Sequence, residues 1–444
     1  MVDASCVTQR LGLALALLIA SGCTDGPPRT RPSLLAEPVT SCAKAKPDRA
    51  LHLPVWDLYV VDAAWEALHA DVQANVEVDA QLCLDGKLEW VELELQGVSG
   101  RTRDKKSFKI KFTEDHELAQ VGFEADAHES IDKVYLKAFW IDQSMIREAL
   151  AFDMWREMGH QAPRHAFANL RINGNYWGLY SVVEPVDSDY LRRNGYPEGG
   201  HLYKGTRKHG GYADFAPGRN LDLAFEDKSS DGEASRADLE QLAKTLQRTP
   251  LDQASFERQI DPIFPLDDYM DRMVWVSLTR NGDAVAQNFY LYNAPRDEHA
   301  FWQMIPWDSD LCMGSNWRGA DEAVPANLAL YLDGGNFFGR RLTMVPGVRE
   351  RYFERFRHVI DEVLTQPVML EHLERRAARV RHDLAEEQAR WQRNVSADEA
   401  FDVIREFLAE RPVLLRQGLD ELEVQPPDEP APGDATDHTD FESQ

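Results

Sequence analysis

The chain has 444 residues, 43% hydrophobic and 10% aromatic, enough for one large domain or two ordinary ones with a sizeable core. Its formal net charge of -26, from 75 acidic against 49 basic residues, argues against nucleic acid or an anionic membrane face as a general partner. Residues 421–444 carry eight acids and no Lys or Arg, so the C-terminal end accounts for a good part of that charge.

Arg10 precedes an apolar run, Leu11–Cys23. The run is short for a membrane span and fits a signal-peptide core. It ends in Ala20-Ser21-Gly22-Cys23, small residues directly before a cysteine, which resembles a bacterial lipobox. Residues 1–22 then form a signal peptide of lipoprotein type, and Cys23 is the anchor. The alternative is a secreted chain without lipid, and on either reading the mature chain is exported. Residues 23–50 hold Pro27, Pro28, Pro32, Pro38 and Pro47 among polar residues and read as a tether. Cys42, Cys83 and Cys312 show no CxxC spacing, which argues against a zinc site. Export permits disulfides, with Cys42 and Cys83 the candidate pair and free thiols the alternative.

The folded body is expected over residues 51–420. Leu88–Val98 alternates in part, and Ser107–Phe112 alternates strictly, with Phe108, Ile110 and Phe112 facing a core and Lys109 and Lys111 facing away. Lys133–Phe139 is a further strand. A helix then starts at a cap from Asp142 or Ser144, keeps helical spacing through Ile146, Leu150, Met154 and Trp155, and ends at Gly159. Asn173-Gly174 between two apolar runs marks a hairpin within Phe167–Glu184. An amphipathic helix covers Asp267–Thr279. Short strands at Phe289–Tyr292 and Phe301–Ile305 flank a turn at Pro295-Arg296-Asp297. Helical stretches over 347–365, 367–395 and 398–418 complete the body, and residues 421–444 read as a disordered acidic tail. The fold class expected is α+β, β-rich first and helical last, with the acidic motifs at the junction.

Those motifs hold the chemistry. Asp283 follows a long helix in a Gly-containing loop, Asn288 comes five residues later before a strand, and Asp308 and Asp310 follow the next strand. Magnesium takes few hard oxygen ligands and keeps positions for phosphate oxygens. Phosphoryl transfer also needs a carboxylate that orients the attacking hydroxyl. Each residue also has a plain reading: Asp283 and Asn288 as turn residues, Asp308 as an Asx cap, and Asp310 as a loop acid.

The body resembles the CotH family, the spore-coat-protein-H type of atypical protein kinase. The resemblance runs through KKSFKIKF (105–112), KAFWIDQSMIREALAFDMWREMG (137–159), INGNYWGLYSVVEPVD (172–187), LYKG (202–205), NGDAVAQNFYLY (281–292) and IPWDSDLCMG (305–314). It implies an atypical two-lobed kinase-like fold that moves the γ-phosphoryl group of ATP, with Mg2+ or Mn2+, to Ser or Thr hydroxyls of exported proteins. Asp283 then stands at the position of the loop base. Asp308 stands at that of the metal-binding aspartate, with Asn288 and Asp310 as further metal candidates. Trp302 stands where an aromatic flanks adenine. For the lysine and its acidic partner, Lys109 and Glu184 are the leading candidates, with Lys204 and its neighbour Tyr203 in LYKG as alternatives. Arg147, early in its helix, is a phosphate candidate or a surface arginine. Gln96 departs from the family, which usually has arginine there.

Two other readings compete. One is an exported scaffold that keeps the fold without catalysis, favoured by Gln96. The other is a carbohydrate binder, suggested by eleven tryptophans and requiring aromatics on an exposed face. The anchor is testable by itself. Cys23→Ser should move the protein from the membrane fraction to the soluble fraction of an expressing bacterium, and identical partitioning of the two forms would exclude the lipid anchor.

Overall fold

The computed structural model describes residues 35–43, 51–117, 120–123, 129–207, 210–229, 236–296, 299–315, 324–393 and 395–424. Cys23, most of the tether and residues 425–444 lie outside them.

The first half is built from β1 (Val55–Tyr59), α1 (Asp62–Ala70), β2 (Glu77–Leu84), β3 (Lys87–Gln96), β4 (Ser107–Glu117), β5 (Ser130–Lys137), α2 (Arg147–Glu157), β6 (His165–Ile172) and β7 (Asn175–Val183). Seven strands close into a barrel in the order β1-β2-β3-β4-β5-β7-β6, sealed by parallel pairing of β1 with β6. Alternation explains the filling. Phe108, Ile110, Val134 and Leu136 point inward with Leu58, Leu82 and Leu93, while Lys109 and Lys111 point outward to Glu94 and Glu92. Asn173 and Gly174 both adopt positive φ, as the expected two-residue hairpin turn requires. Cys42 and Cys83 form a disulfide that fastens the segment before the barrel to β2, and Cys312 is free and buried.

The second half contains α3 (Ser188–Arg193), β8 (His201–Gly205), α4 (Leu221–Ala224), β9 (Phe225–Asp227), α5 (Ala237–Arg248), α6 (Gln253–Gln259), α7 (Leu266–Thr279), β10 (Phe289–Arg296), β11 (His299–Pro306), α8 (Phe337–Thr343), α9 (Pro346–His358), α10 (Gln366–Arg390) and α11 (Ala397–Val424). A four-stranded sheet, β11-β10-β8-β9, lies between the barrel and the helices. One of its faces packs with Val183 and Tyr190 through Tyr290, Tyr292 and Ile305; the other joins the helical core through Leu291 and Trp302. The α+β class and its β-first, helix-last order match the expectation. The β10–β11 strands are longer than expected, and α11 runs to Val424, past the expected body end at 420.

Helix α10 binds the two halves together. Asp383 accepts the backbone N–H groups of His52 and Leu53, each at 2.7 Å. Glu387 accepts Leu179 N–H at 2.8 Å and the buried Lys105 ammonium at 2.7 Å. Burial outweighs the pull of Glu387 and brings Lys105 down to about 8. Contact is so close that a Cβ on Gly178 would meet Glu387 Oε2 at 2.5 Å. Arg376 on the same helix grips Asp153 of α2 at 2.6 and 2.7 Å. The helix therefore fixes α2 and the barrel to one another.

Candidate active site

A cleft lies between the barrel and the β10–β11 hairpin. Its inner cavity, of about 120 Å3, is lined by the β3–β4 loop Gln96–Gly100, by Arg103, Lys105 and Lys137, and by Asp283, Asn288, Asp308 and Asp310. An adjoining cavity of about 530 Å3 shares Gln96, Gly97 and Val98 and extends past Tyr135, Lys204 and Tyr290 to Pro185–Asp187.

Lys137 is the last residue of β5. Because Val134 and Leu136 take the inward positions, Tyr135 and Lys137 face the hairpin. The Lys137 ammonium is buried and donates to Glu148 at 2.7 and 3.0 Å and to Asp308 at 2.8 Å. It also sits 4.3 Å from the centre of the Trp307 ring, a further contact for a cation. Burial opposes its charge, but Asp308 and Glu148 more than offset that and raise its pKa.

Glu148, in the first turn of α2, is fully buried. It accepts the Ser309 N–H at 2.9 Å as well as the lysine, so one carboxylate holds both β5 and the Asp308–Asp310 loop. Burial alone would raise its pKa. Lys137 and His165, whose Nε2 stands 3.2 Å away, prevail and hold it at about 2.

The acidic loops carry backbone strain. Asn288 and Asp308 have φ of +56° and +51°, a left-handed region that costs a non-glycine residue energy and that concentrates at functional sites. The two strained residues brace each other, since Asn288 Nδ2 donates to the Asp308 carbonyl at 3.1 Å and Trp307 N–H to the Asn288 carbonyl at 3.2 Å. Burial raises the Asp283 carboxyl, and Asp308 adds to the rise. Burial, then repulsion from Asp308, raises Asp310 strongly, and no hydrogen bond or ion pair reaches Asp310 among the described residues. Three carboxylates thus face one cleft, and the Asp308 charge disfavours that of Asp283 and of Asp310. Among the described residues no three His, Cys, Asp or Glu side chains stand close enough to hold a metal ion by themselves.

The structure brings Asp283, Asn288, Asp308 and Asp310 to the inner cavity and Lys204 to the outer one. Burial lowers Lys204 to about 8; its ammonium lies over the Tyr290 and Trp307 rings, without a hydrogen bond or ion pair among the described residues. Other candidates stand elsewhere or are already engaged. Lys109 borders the outer cavity but is held by Glu77 and Glu94 at 2.9 and 2.8 Å. Glu184 is buried between Arg164 and Arg193, not beside a lysine. Trp302 stacks on Tyr203 at 6.0 Å inside the helical core, on the sheet face away from the cleft, so neither ring borders it. Arg147 is buried against Asp142, neither at a phosphate position nor on the surface. Eight of the described tryptophans are buried, contrary to a carbohydrate-binding face.

A model of the CotH kinase protein family matches residues 93–415. The chain belongs to this family. It is similar to the inner spore coat protein H of Bacillus subtilis (strain 168), 23% identical over 331 residues that cover 73% of this chain and 84% of that protein. In this CotH protein, sequence reasoning missed Lys137 and Glu148. Both lie in the quoted KAFWIDQSMIREALAF stretch, and an acid amid the apolar run from Met145 to Phe152 was the available signal.

The buried pair makes stability depend on acid. Glu148 falls from its ordinary 4.5 to about 2 in the fold. A depressed carboxyl stabilises fully above its unfolded pKa and loses that contribution as pH falls through the folded one. A shift of this size corresponds to about 3 kcal/mol. Urea unfolding should therefore show Glu148→Gln less stable than wild type by roughly that amount at pH 7, with the gap closing between pH 4.5 and about 2. A gap independent of pH would refute the assignment.

Proposed function

We propose that this CotH protein is a metal-dependent phosphotransferase that moves the γ-phosphoryl group of ATP to a Ser or Thr hydroxyl of an exported protein, itself exported and anchored through Cys23. The observation that carries the reading is the buried Lys137–Glu148 pair, closed by Asp308 and facing Asp283 across a cleft. In protein kinases a strand lysine paired with a helix glutamate orients the phosphates, and an aspartate after a strand holds the metal. Lys137, Glu148 and Asp308 supply those parts here, so the lysine role moves from Lys109 to Lys137 and that of its partner from Glu184 to Glu148. The kinase-like two-lobed architecture belongs to the same reading.

Asp308, Asp310 and the Asn288 side-chain oxygen are the donors for Mg2+ or Mn2+. The unpaired, charge-disfavouring Asp310 fits a cation, and the small number of protein donors suits an ion that keeps water and phosphate oxygens as ligands. Bound there, the ion neutralises charge on the transferred group. Arg103 and Lys204 carry no ion pair among the described residues, so both remain available to phosphate oxygens. Arg103 lines the inner cavity together with Gln96, and it supplies a cation where the family's usual arginine is replaced. The acceptor oxygen attacks the γ-phosphorus, the bond to the β,γ-bridging oxygen breaks, ADP leaves, and Asp283 takes the hydroxyl proton. The raised pKa of Asp283 suits a proton acceptor better than an ordinary carboxylate.

Incubation with γ-labelled ATP and Mg2+ or Mn2+ tests the reading. Label should appear on the protein or on an offered exported protein. Asp308→Ala should abolish metal-dependent thermal stabilisation by ATP. Asp283→Asn should keep that stabilisation while transfer falls at least about a hundredfold. Full transfer by Asp283→Asn would leave Asp283 a turn residue. Wild type that binds ATP yet labels nothing would favour the scaffold reading.

A further inference from the structure

A knot of positive charge stands beside the acidic cleft, in a chain whose net charge is -26. Trp140, in the loop after β5, lines the inner cavity together with Arg103 of the β3–β4 loop. Arg393, just past the end of α10, lays its guanidinium 3.9 Å from the centre of the Trp140 ring. Trp391 meets the same ring in a T-shaped pair at 5.9 Å, and its Nε1–H donates to the Trp177 carbonyl at 3.0 Å. Trp140 and the arginine upon it are thereby held at the wall of the cavity.

Other basic groups around this wall are already matched. Arg101 donates to the Ala74 carbonyl at 2.9 Å and to Asn75 Oδ1 at 2.8 Å, Lys105 to Glu387 at 2.7 Å, and Arg390 to the Tyr176 carbonyl at 3.2 Å. Arg103 and Arg393 differ. Both are half-buried, and neither side chain makes a hydrogen bond or ion pair among the described residues. Burial lowers the Arg393 pKa, Glu387 opposes that, and the Arg103 charge adds to the lowering. Glu387 is itself occupied by Lys105 and the Leu179 N–H. Two guanidinium groups thus stand within each other's field, and each keeps N–H donors in a fork that matches an oxyanion. Desolvated like charges without a partner are unfavourable, and an anion arriving beside them relieves both costs.

We propose that Arg393 and Arg103, braced by Trp140, bind the phosphate of a phosphoserine or phosphothreonine already present in the polypeptide acceptor. Such a phosphate carries about -1.5 to -2 charges near pH 7, which suits two guanidinium groups better than the single charge of a carboxylate. That the phosphate arrives on a polypeptide rests on the phosphotransferase reading; the need for an anion does not. Arg393 is not among the residues that line the inner cavity, so the anion sits at the cavity's edge. Arg103 and Asp283 line that same small cavity, so the bound phosphate and the hydroxyl to be phosphorylated belong to residues close together in the acceptor. One transfer then prepares the acceptor for the next, and phosphorylation proceeds in clusters.

Fluorescence anisotropy tests this, using the whole protein in about 0.15 M salt. The probes are a labelled glycine- and alanine-based peptide with one phosphoserine and its counterpart with serine. Wild type should bind the phosphopeptide at least about tenfold more tightly than the serine peptide, and Arg393→Gln and Arg103→Gln should each weaken phosphopeptide binding at least about tenfold, the loss of one charge-assisted contact. Arg379→Gln, which removes an exposed arginine of α10, should bind as wild type does. Should Arg393→Gln fail to fold, Arg103→Gln decides. An ATP analogue with a non-transferable γ-phosphate, added with Mg2+, should leave the phosphopeptide bound. Equal affinity for the two peptides, full binding by Arg393→Gln, no binding, or displacement by the analogue, which would assign these arginines to the nucleotide, would each overturn the proposal. Binding is read without transfer, so a negative result here leaves the phosphotransferase reading standing, and failed label transfer leaves a positive binding result standing.

Discussion

One buried ammonium organises the molecule. Lys137 is taken out of water at the end of a barrel strand, a position that only opposite charge in good geometry makes tolerable. Its partners come from a helix eleven residues on and from a loop after β11. Three elements must therefore arrive together before the charge is satisfied. Glu148 extends the constraint by accepting Ser309 N–H, so the acidic loop is placed by the same group that places the lysine. The cleft follows from this: the β3–β4 loop lines it beside Lys137, and Asp283 and Asn288 line it beside Asp308.

The C-terminal helices make the arrangement rigid. Through Glu387 and Asp383, α10 reaches the barrel; through Arg376, it holds Asp153 of α2. Lys105, gripped by Glu387, also donates to the Ala138 carbonyl at 3.2 Å, next to Lys137. Glu148 cannot swing away from Lys137 without breaking contacts along the rest of α2. Inside this frame burial and the Asp308 charge keep the Asp283 and Asp310 carboxyls raised.

Legibility in the sequence followed the range of the interaction. Strict alternation identified β4 and its outward lysines, and Asn173-Gly174 identified the β6–β7 hairpin, because both are local. Asp283, Asn288 and Asp308 stood out as polar residues between apolar strands, and the structure gathers them in one cleft. Closure of the barrel depends on parallel pairing of β1 with β6, which no local pattern encodes. Lys109 and Lys137 both point out of the barrel. What separates them is the covering: Lys109 meets Glu77 and Glu94 of neighbouring strands, whereas α2 and the hairpin cover Lys137. Trp302 was ambiguous for a related reason. Both faces of its hairpin are buried, so periodicity cannot tell the cleft side from the helical side.

Calorimetric titration of ATP and Mg2+ into wild type, Lys137→Met and Lys109→Met tests the central role of Lys137 most directly. A hydrogen bond to a charged group contributes about 1.5–3 kcal/mol, so Lys137→Met should lose at least roughly tenfold in affinity while Lys109→Met matches wild type. Unchanged affinity in Lys137→Met, or its loss in Lys109→Met instead, would contradict the account.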